Sequence, residues 1–538
     1  MAPTKSTAAV KTAAKKKPTR RKTTKTAAAG LVDGRPTEQL VNQAASSRGF
    51  GTPHRRARGH GYEQRGLAYL PVSQQFEGRF GRMFRLPPFV PSRERIAEIA
   101  AVMTEDAAGG DPALNNPDIP AGYTYFGQFI DHDLTFDPVS SLTRQNDPDA
   151  LTNFRSPRFD LDCIYGRGPS DDAYMYDKRD GFEDMLLIGE HDNEHDLPRN
   201  TQDTALIGDP RNDENTFVSQ LQLTMLKFHN KMVEKVRAEP DLQRGSESTF
   251  ETAQRIVRWH YQWVAVHDFL RRTVGQDMFD SVLDESGHVP RVRLRHYDPK
   301  SGTPYMPVEF AVAAYRFGHS QIRGRYSLNT LVQGLSTFLP GSSSDPANLL
   351  RQFGGFRILP PFWTIEWRRF FEMPGADAAV LQQTRLIDTK LANPLANLPT
   401  EIGGDRPSLI DRNLTRGARL ALPSGQDVAR AMGETPLTRA ELKLPGGGPA
   451  PLWYYVLREA QVRANGRHLG PVGGRIVAEV FLGILARDPS SYMRKEPAWR
   501  PILPTAGGTF SMPDLITASG HGLELIGGPP GLGGGRST

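Results

Sequence analysis

The sequence predicts a mainly α-helical protein, a single large helical domain with long ordered loops and little β-structure. Long stretches repeat their apolar residues with the 3.6-residue period of an amphipathic helix. The two-residue alternation that is typical of strands is scarce. Interruptions are frequent, because the 538 residues include 43 prolines and 52 glycines, which break helices and favour loops. A hydrophobic content of 38% is sufficient for a large core.

Helical periodicity is clearest in three stretches and is recognisable in several others. The predicted helices are residues 123–137, 215–239, 250–274, 307–323, 408–432, 451–464 and the region around 475–486. No repeat of the solenoid kind relates these stretches. We therefore expect them to pack around one core.

The two ends of the chain differ from this pattern. The first thirty residues contain nine Lys and Arg and no acidic residue. Because the net charge of the whole chain is +6, the remaining residues carry a net charge of about −3. We predict a disordered Lys/Ala/Thr/Pro-rich tail at 1–45, an extended Arg/Gly-rich arm at 46–74, the folded domain at 75–525 and a flexible Gly/Pro-rich end at 526–538. The tail is either a contact for a polyanion (nucleic acid, anionic lipid or cell-wall polymer) or a solubilising extension.

Cysteine usage and hydropathy exclude several classes of protein. Cys163 is the single cysteine, so no internal disulfide and no multi-cysteine zinc or iron–sulfur site can form. No apolar run approaches transmembrane length, and none follows the N-terminal basic residues, so we expect no secretory signal of the usual form. We expect a cytoplasmic location by default, with secretion by another route as the alternative. The oligomeric state is open.

The motif YTYFGQFIDHDLTFD (123–137) places three adjacent ionisable side chains in apolar surroundings. At 100° per residue, Gln128, Asp131 and His132 share one helix face, and Asp133 points about 100° away from His132. The helix would thus offer an imidazole, a carboxyl and an amide to one pocket, and a lone carboxylate to another partner. A buried, hydrogen-bonded histidine flanked by surface acids is the alternative for this motif alone.

Three further motifs supply ionisable and amide side chains around predicted helices. They are Arg211 and Glu214 in GDPRNDEN (208–215), Arg316 and His319 in AAYRFGHSQI (313–322), and Asn413 and Arg416 in DRNLTRGARLALPSGQ (411–426). Other histidines are weaker candidates. His191 and His195 could mimic a divalent-metal site but are interpreted as part of a surface loop, and His260 and His267 are interpreted as core or surface residues.

In this order, the four motifs resemble those of the animal-type haem peroxidases, the peroxidase–cyclooxygenase superfamily, in a bacterial form. The resemblance covers about residues 75–520. It implies a mainly α-helical fold around a buried haem b group.

On the peroxide-binding side, the resemblance implies three roles. His132 is similar to the distal histidine, which takes a proton from hydrogen peroxide and returns it to the leaving oxygen. Arg211 is similar to the distal arginine, whose charge stabilises the negative charge that develops as the O–O bond breaks. Gln128 is similar to the distal glutamine, which positions water or halide above the iron.

On the other side of the haem, His319 is similar to the proximal iron ligand, and Asn413 to the amide that accepts its Nδ1–H. Arg316 and Arg416 are similar to the arginines that bind the haem propionates. Two acids, Asp131 and Glu214, stand where mammalian members form ester bonds to haem methyl groups, so covalent haem is an expectation. Asn215 stands where one mammalian member has a methionine, so a sulfonium link is excluded.

The resemblance also implies a calcium site on the other face of the first motif. Its ligands would be Asp133 with Ser156, the Arg158 carbonyl, Asp160 and Asp162 of SPRFDLDCIYG (156–166). Oxygen ligands at alternating positions suit a hard, seven-coordinate cation. The alternative is a solvated Asp-rich turn.

The function that the resemblance implies is reduction of hydrogen peroxide through an oxyferryl intermediate, with oxidation of small organic donors and of halide or thiocyanate, in a response to oxidative stress. A fatty-acid dioxygenase on the same fold is the first alternative. Those relatives carry a radical-forming tyrosine three residues before the proximal histidine, where this sequence has Arg316, and Tyr315 would be turned about 100° away on a helix. A non-catalytic haem-binding or tethered scaffold is the second alternative.

Overall fold

The computed structural model describes the side chains of most residues between 78 and 525. The described ranges are 78–105, 111–136, 153, 155–189, 194–297, 299, 304–342, 345 and 347–525, with backbone alone at 401 and at Leu31–Val32 and Arg35–Pro36. The chain divides into two units, residues 1–56 and 57–538. Apart from the two short strands, the predicted tail, arm and C-terminal end (1–45, 46–74 and 526–538) lie outside the described residues.

The fold is mainly helical, as predicted. The α-helices are α1 (Arg93–Ala101), α2 (Gly122–Leu134), α3 (Asp162–Tyr165), α4 (Thr216–Ala238), α5 (Thr249–Val264), α6 (Arg271–Val274), α7 (Gln276–Val282), α8 (Val308–Val312), α9 (Gly318–Gln321), α10 (Thr400–Gly403), α11 (Leu409–Arg419), α12 (Gly425–Ala431), α13 (Arg439–Leu442), α14 (Leu452–Ala464), α15 (Pro471–Arg487), α16 (Tyr492–Lys495) and α17 (Met512–Ser519). A π-helical turn, Ala265–Leu270, joins α5 to α6. None of the helices in the described ranges is both long and apolar enough to cross a membrane.

The strands are short and pair two by two. They are β1 (Leu31–Val32), β2 (Arg35–Pro36), β3 (Phe80–Gly81), β4 (Asn115–Pro120), β5 (Leu283–Asp284), β6 (Arg291–Val292), β7 (Met306–Pro307), β8 (Arg325–Tyr326), β9 (Leu335–Ser336) and β10 (Gln383–Arg385). The pairs β1–β2, β4–β10, β5–β6 and β8–β9 are antiparallel, and β3–β7 is parallel. The four pairs between residues 78 and 525 join loop segments to one another, and no sheet of more than two strands occurs in the described ranges.

The long helices α4, α5 and α15 form the core. Each begins at a helix-starting signal: the Asn215 side chain accepts from the Val218 N–H in α4, Ser248 and Glu251 form a capping box in α5, and Pro471 opens α15. The core-facing aliphatic and aromatic side chains are almost fully buried, and each such side chain stabilises the fold by about 1.5–3 kcal/mol relative to an exposed one.

Helix α2 is fixed against this core by aromatic contacts and by a close backbone approach. The Tyr125 ring stacks on Phe217 of α4 at 4.2 Å. At the start of α2, the Gly122 N–H donates to the Phe370 carbonyl at 2.9 Å. A Cβ atom at Gly122 would lie 2.3 Å from the Phe371 ring, so a side chain at this position would push the helix away from its support.

Two predicted helices are interrupted. The prediction of one helix at 307–323 is wrong, because the chain leaves the helical conformation at Ala313 and forms α8, the 3₁₀ turn Ala314–Phe317 and α9. The carbonyl of Ala311, which a continuous helix would pair with the Tyr315 N–H, accepts instead from Arg316 Nε at 3.0 Å. The prediction of one helix at 408–432 is also wrong, since residues 420–424 separate α11 from α12.

Candidate active site

A cavity lies between α2, the segment before α4 and the chain around α9. Its volume is about 230 Å³. Predicted site residues from three separate motifs line it, namely Gln128, Asp131, His132, Glu214, Arg316 and His319. Much of the remaining wall is apolar and includes Phe269, Phe338, Leu395 and Leu398.

His132 lies in the last turn of α2 and is 5% exposed. Burial and the nearby charge of Arg211 lower its pKa to about 3, so the imidazole is neutral at neutral pH. Its Nδ1 lies 2.6 Å from the Oδ1 atom of Asn212. The Nε2 nitrogen is then the ring atom that remains to act on a molecule in the cavity.

Two buried amides behind His132 were missed by the sequence-based reasoning. Asn212 Nδ2 donates to Gln222 Oε1 at 2.8 Å, and Gln222 Nε2 donates to the backbone carbonyl of Cys163 at 2.9 Å. Asn212 belongs to the GDPRNDEN motif, so proximity to His132 could have been suspected. No spacing in the sequence indicates Gln222.

Arg211 takes a different position from the one expected of an arginine that faces peroxide. It does not line the cavity. Its Nη2 donates to the carbonyls of His132 at 2.9 Å and Thr135 at 2.7 Å and pairs with Asp209 at 2.7 Å. Although burial raises the pKa of Asp209, the charges of Arg155 and Arg211 hold it well below its usual range. This buried carboxylate and the carbonyls at the end of α2 hold the guanidinium in place.

The amide of Gln128 links α2 to the segment before α4 within the cavity wall. Gln128 Nε2 donates to Glu214 Oε1, and Asn215 Nδ2 donates to Gln128 Oε1 at 3.2 Å. Burial, partly offset by the charge of Arg211, raises the pKa of Glu214 to about 7. Close packing fixes this segment, because a Cβ atom at Gly355 would lie 1.9 Å from the Asp213 carbonyl oxygen.

Asp131 also faces the cavity. Burial raises the pKa of its carboxyl, although the charges of Arg316 and Arg211 act in the opposite direction. Thr135 Oγ1 donates to Asp131 Oδ1 at 3.0 Å. Asp131 and Glu214, the acids expected at the ester positions, therefore both line the cavity together with His132.

His319 lies on α9, and burial together with the charge of Arg316 lowers its pKa to about 3. The expected partner, Asn413, is adjacent, but the amide atom facing His319 Nδ1 at 2.7 Å is Nδ2 rather than the expected oxygen. The reason is Arg316, whose Nη1 donates to Asn413 Oδ1 at 3.2 Å. A half-turn of the amide would exchange the two atoms.

Arg416 lies one turn after Asn413 on α11 and does not line the cavity. Burial and the charges of Arg416 and Arg406 lower the pKa of Arg412, so positive charge is concentrated at this helix. Of the two arginines expected at haem propionates, Arg316 therefore faces the cavity and Arg416 lies outside its wall.

The opposite side of α2 faces a cluster of acids. Carboxylate oxygens of Asp133, Asp160 and Asp162 all lie within 4.8 Å of one another, and these residues are at most 1% exposed. Burial, followed by mutual repulsion, raises the pKa values of Asp133 and Asp160. Oδ1 of Asp133 and Oδ1 of Asp160 have no hydrogen-bond partner among the described residues. Unpaired buried carboxylate oxygens are costly unless a cation neutralises them.

The expected loop supplies the rest of this cluster. Ser156 Oγ donates to Asp160 Oδ2 at 2.5 Å, and Arg155 Nη1 pairs with Asp162 Oδ1 at 2.7 Å. Arg158 lies between Ser156 and Asp160 in the chain, and its side chain pairs with Asp488 at 3.3 Å. The solvated Asp-rich turn, which was the alternative for this loop, does not fit the nearly complete burial of these acids.

The remaining histidine candidates that the structure describes lie outside the cavity wall and make packing or backbone contacts. His191 lies outside the described residues, and the carbonyl of His195 accepts from Gln220 at 2.7 Å. His260 Nδ1 lies 2.7 Å from the Ile256 carbonyl, and His267 stacks on Trp263. Both of the latter are buried in the core.

Tyr315 lines the cavity, contrary to the expectation that it turns away from the site. That expectation assumed a continuous helix, and the break at Ala313 removes the assumption. The Tyr315 hydroxyl donates to the Gly127 carbonyl of α2 at 3.1 Å, and its ring stacks on Phe310 at 4.6 Å.

Part of the chain matches a known family profile, and the fold is similar to that of solved structures. Residues 143–352 match the sequence profile described as Animal haem peroxidase. Peroxidase A from Dictyostelium discoideum is structurally similar, with a TM-score of 0.56 and 15% identity, over 84% of this chain and 95% of that chain. No curated protein sequence matches the chain significantly.

Two plant structures are similar at the level of the fold. A variant of Oryza sativa fatty acid alpha-dioxygenase with palmitic acid gives a TM-score of 0.51 and 15% identity, over 81% of this chain and 78% of that chain. The Arabidopsis thaliana fatty acid alpha-dioxygenase gives a TM-score of 0.50 and 16% identity, over 83% of this chain and 80% of that chain. At these identities the similarity concerns the fold alone.

Proposed function

We propose that the chain, whose residues 143–352 match the profile described as Animal haem peroxidase, is a haem-dependent peroxidase. It reduces hydrogen peroxide and oxidises small organic donors, with halide or thiocyanate as further donors. One observation carries the proposal: His132 and His319, both neutral at neutral pH, line a single cavity. Only the first of these imidazoles is needed for proton transfer, which leaves the second for the metal.

The cavity residues fit a haem b group. His319 offers a neutral imidazole in a largely apolar cavity, which is the form that ligates iron. Arg316, on the same wall, would pair with a propionate. Coordination through Nε2 needs a proton on Nδ1, so the Asn413 amide would face His319 with its oxygen after a half-turn. When bound, haem supplies an iron centre that accepts the peroxide oxygen and takes electrons from donors.

The role of His132 follows from its protonation state. A neutral imidazole can accept a proton at Nε2 from hydrogen peroxide and return it to the leaving oxygen. Burial keeps the pKa far enough below neutrality that the basic form is present throughout the physiological range. Asn212, which lies 2.6 Å from Nδ1, holds the ring in place.

Arg211 and Gln128 would support this proton transfer in different ways. Arg211 binds the carbonyl of His132 itself, so its charge acts on the site from behind the helix end. Gln128, held by Glu214 and Asn215, would orient water or an anionic donor in the cavity. Asp131 and Glu214 would be the ester-forming acids if haem is bound covalently.

We also propose that the acid cluster binds Ca²⁺. Asp133, Ser156, the Arg158 carbonyl, Asp160 and Asp162 would supply oxygen ligands, which hard divalent cations prefer. The unpartnered carboxylate oxygens of Asp133 and Asp160 support this assignment. The metal would fix α2 on the side away from the cavity.

The basic N-terminal segment has a separate proposed role. With nine Lys and Arg in the first thirty residues, residues 1–45 would bind a polyanion by charge rather than take part in catalysis. Removal of residues 1–45 is expected to weaken binding to heparin or DNA and to leave peroxide turnover unchanged. Lost turnover would mean that this segment belongs to the folded domain.

A fatty-acid dioxygenase is the second candidate, and one observation favours it. Tyr315 lines the cavity and could serve as an oxidisable side chain close to a bound fatty acid. Against it, the hydroxyl is already committed to the Gly127 carbonyl, and Arg316 stands at the position of the relatives' tyrosine.

The test is an absorption spectrum of the purified full-length protein, followed by hydrogen peroxide and a panel of donors. A peroxidase gives a Soret band that shifts on peroxide addition and returns when phenols, iodide, bromide or thiocyanate are added. Oxygen consumption with linoleic or palmitic acid, without donor oxidation, would favour the dioxygenase. A Soret band that peroxide leaves unchanged would contradict both and point to a non-catalytic haem protein.

A further inference from the structure

The side chains of His132, Asn212 and Gln222 form a hydrogen-bonded series that begins at the cavity wall. The direction of each hydrogen bond in the series determines the direction of the next. The last member of the series is unambiguous, because the backbone carbonyl of Cys163 can only accept. The atom that lies 2.9 Å from it must therefore be the amide nitrogen of Gln222. This contact determines the orientation of the whole Gln222 amide.

The orientation of the Gln222 amide in turn determines the hydrogen bonds nearer the cavity. Since its nitrogen is used, Gln222 presents Oε1 to Asn212, and only Asn212 Nδ2 can donate to it, at 2.8 Å. Asn212 then presents Oδ1 to His132 at 2.6 Å. An amide oxygen cannot donate, so the proton in this contact belongs to His132 Nδ1.

Burial makes the reverse arrangement unfavourable. Asn212 and Gln222 are 0% exposed and His132 is 5% exposed, so water is not available to repair a mismatched contact. Turning the Gln222 amide would bring two oxygens together at Cys163 and leave both amide nitrogens facing each other at Asn212, and unmade hydrogen bonds in the interior are costly.

We propose that Asn212 and Gln222 are positioning residues that fix His132 as the Nδ1–H tautomer, with an unprotonated Nε2. The pair connects four parts of the chain: α2 with His132, the turn with Asn212, α4 with Gln222, and α3 with Cys163. The Gly208 N–H donates to the same Cys163 carbonyl at 3.0 Å, which holds the final acceptor in place. The use of Nε2 as the base toward peroxide rests on the proposed function, whereas the tautomer itself does not.

The tautomer is measured directly by long-range ¹H–¹⁵N correlation spectra of the full-length protein labelled at histidine nitrogen. The spectra are recorded on the protein as purified and, if haem is bound, on its diamagnetic ferrous carbon monoxide form. His132→Gln identifies the His132 signals. The wild type is expected to show Nδ1–H and a bare Nε2, and a protonated neutral Nε2 would overturn the proposal.

The variants separate the contribution of each amide. Asn212→Leu and Gln222→Leu are expected to give a mixture of the two tautomers, and Asn212→Asp, which keeps an acceptor at Nδ1, is expected to retain Nδ1–H. Asn230→Leu is the matched control, since Asn230 also lies on α4 and bridges backbone atoms of Leu186 away from the cavity. Folded leucine variants that keep the pure Nδ1–H tautomer would refute the role of the amides. If the leucine variants fail to fold, the tautomer observed in the wild type and in Asn212→Asp tests the proposal.

A rate measurement distinguishes failure of this inference from failure of the proposed function. The rate constant of the Soret change with hydrogen peroxide is expected to fall about tenfold or more in Asn212→Leu and to recover in Asn212→Asp near neutral pH. A changed tautomer with an unchanged rate would leave the tautomer assignment intact and contradict the use of His132 as the base. An unchanged tautomer would overturn the inference itself.

Discussion

The two histidines that line the cavity share most of their environment and differ in one contact. Burial lowers the pKa of both His132 on α2 and His319 on α9 to about 3. Each has an asparagine amide within hydrogen-bonding distance of Nδ1. At His132 the facing atom is the oxygen of Asn212, and at His319 it is the nitrogen of Asn413.

The difference comes from the third partner in each group. Asn212 gives its nitrogen to an acceptor, Gln222, so its oxygen is left for His132. Asn413 gives its oxygen to a donor, Arg316, so its nitrogen is left for His319. A His–Asn pair therefore does not by itself determine the position of the imidazole proton. The residue behind each asparagine, Gln222 or Arg316, determines which amide atom faces the histidine in this structure, and the Asn413 amide would have to turn for His319 to coordinate iron through Nε2.

The helices that carry the two histidines also differ in what supports them. The residue after His132, Asp133, belongs to the acid cluster, whereas no second group of three metal-ligating side chains occurs in the part of the chain that the structure describes. Helix α9 is instead held by its neighbours in a broken helical segment. We infer that a bound cation would affect the His132 side more than the His319 side.

The largest expected effect is the loss of haem when His319, but not His132, is replaced. His319→Ala is expected to abolish haem incorporation, because it removes the one metal ligand that the proposal assigns, while His132→Ala is expected to retain haem in full. Haem content per chain, measured by pyridine haemochrome absorbance, checks this prediction. Haem loss from His132→Ala with retention in His319→Ala would reverse the assignment of the two sides.

The next largest effects are expected when Asn212 and Asn413 are each replaced by Asp, because the same substitution should change a different property at each histidine. Asn212→Asp places a carboxylate beside His132 and is expected to raise its pKa. Because the neutral ring is the active form, the peroxide rate should then decline with falling pH at a higher pH than in the wild type, which should remain flat down to about pH 4. Stopped-flow rates between pH 4 and 8 measure the shift.

Asn413→Asp should act on a different quantity. A carboxylate beside His319 Nδ1 makes the imidazole a stronger electron donor and is expected to lower the iron reduction potential, with little change in the pH profile of the peroxide reaction. Spectroelectrochemical titration measures the potential. Identical effects of the two Asp substitutions would contradict the division of roles between the histidines.

Cation removal should have an intermediate effect, confined to stability. Ligand binding to the folded state at 100 times Kd stabilises it by about 2.7 kcal/mol, so chelation is expected to lower the unfolding temperature by a few degrees. Asp160→Asn should abolish this response, and Asp284→Asn, at a partly buried acid on β5 outside the cluster, is the matched control. An unfolding temperature that is unchanged by chelator and by added Ca²⁺ would argue against the calcium assignment.

The smallest effect is expected at a contact that joins the two sides. Tyr315, from the segment before α9, donates to the Gly127 carbonyl on α2. Tyr315→Phe should lower the free energy of unfolding by about 1 kcal/mol and leave peroxide reduction unchanged. Chemical denaturation and steady-state turnover measure the two quantities. Abolished fatty-acid oxygenation in this variant would instead support the dioxygenase alternative.

The sequence predicted the long helices well, because their apolar period and their starting signals act locally. The prediction of 215–239 is confirmed by α4, which begins after Asn215. The helix at 307–323 was not predicted correctly, because its apolar period continues through Ala313, where the chain leaves the helical conformation. The break after α11 had a visible signal, since Pro423 cannot continue a helix.

The site was predictable to the extent that its residues stand in recognisable motifs. These motifs place His132, Glu214 and His319 around one cavity. The orientation of Arg211 depends on Asp209 and on the end of α2, and that of Asn413 depends on Arg316. The Asp209–Arg211 contact is local, but the contacts of Arg211 with the end of α2 and of Asn413 with Arg316 join distant parts of the chain, which spacing along the sequence does not encode.

The role of His132 as the base toward hydrogen peroxide is tested by a stopped-flow measurement on haem-loaded wild type and His132→Ala at equal haem content. The measured quantity is the second-order rate constant of the Soret change with hydrogen peroxide. If His132 is the base, the substitution lowers this constant by about 10²- to 10⁴-fold, while His260→Ala, at a core histidine, lowers it far less. Equal rate constants in the wild type and His132→Ala would show that His132 is not the base.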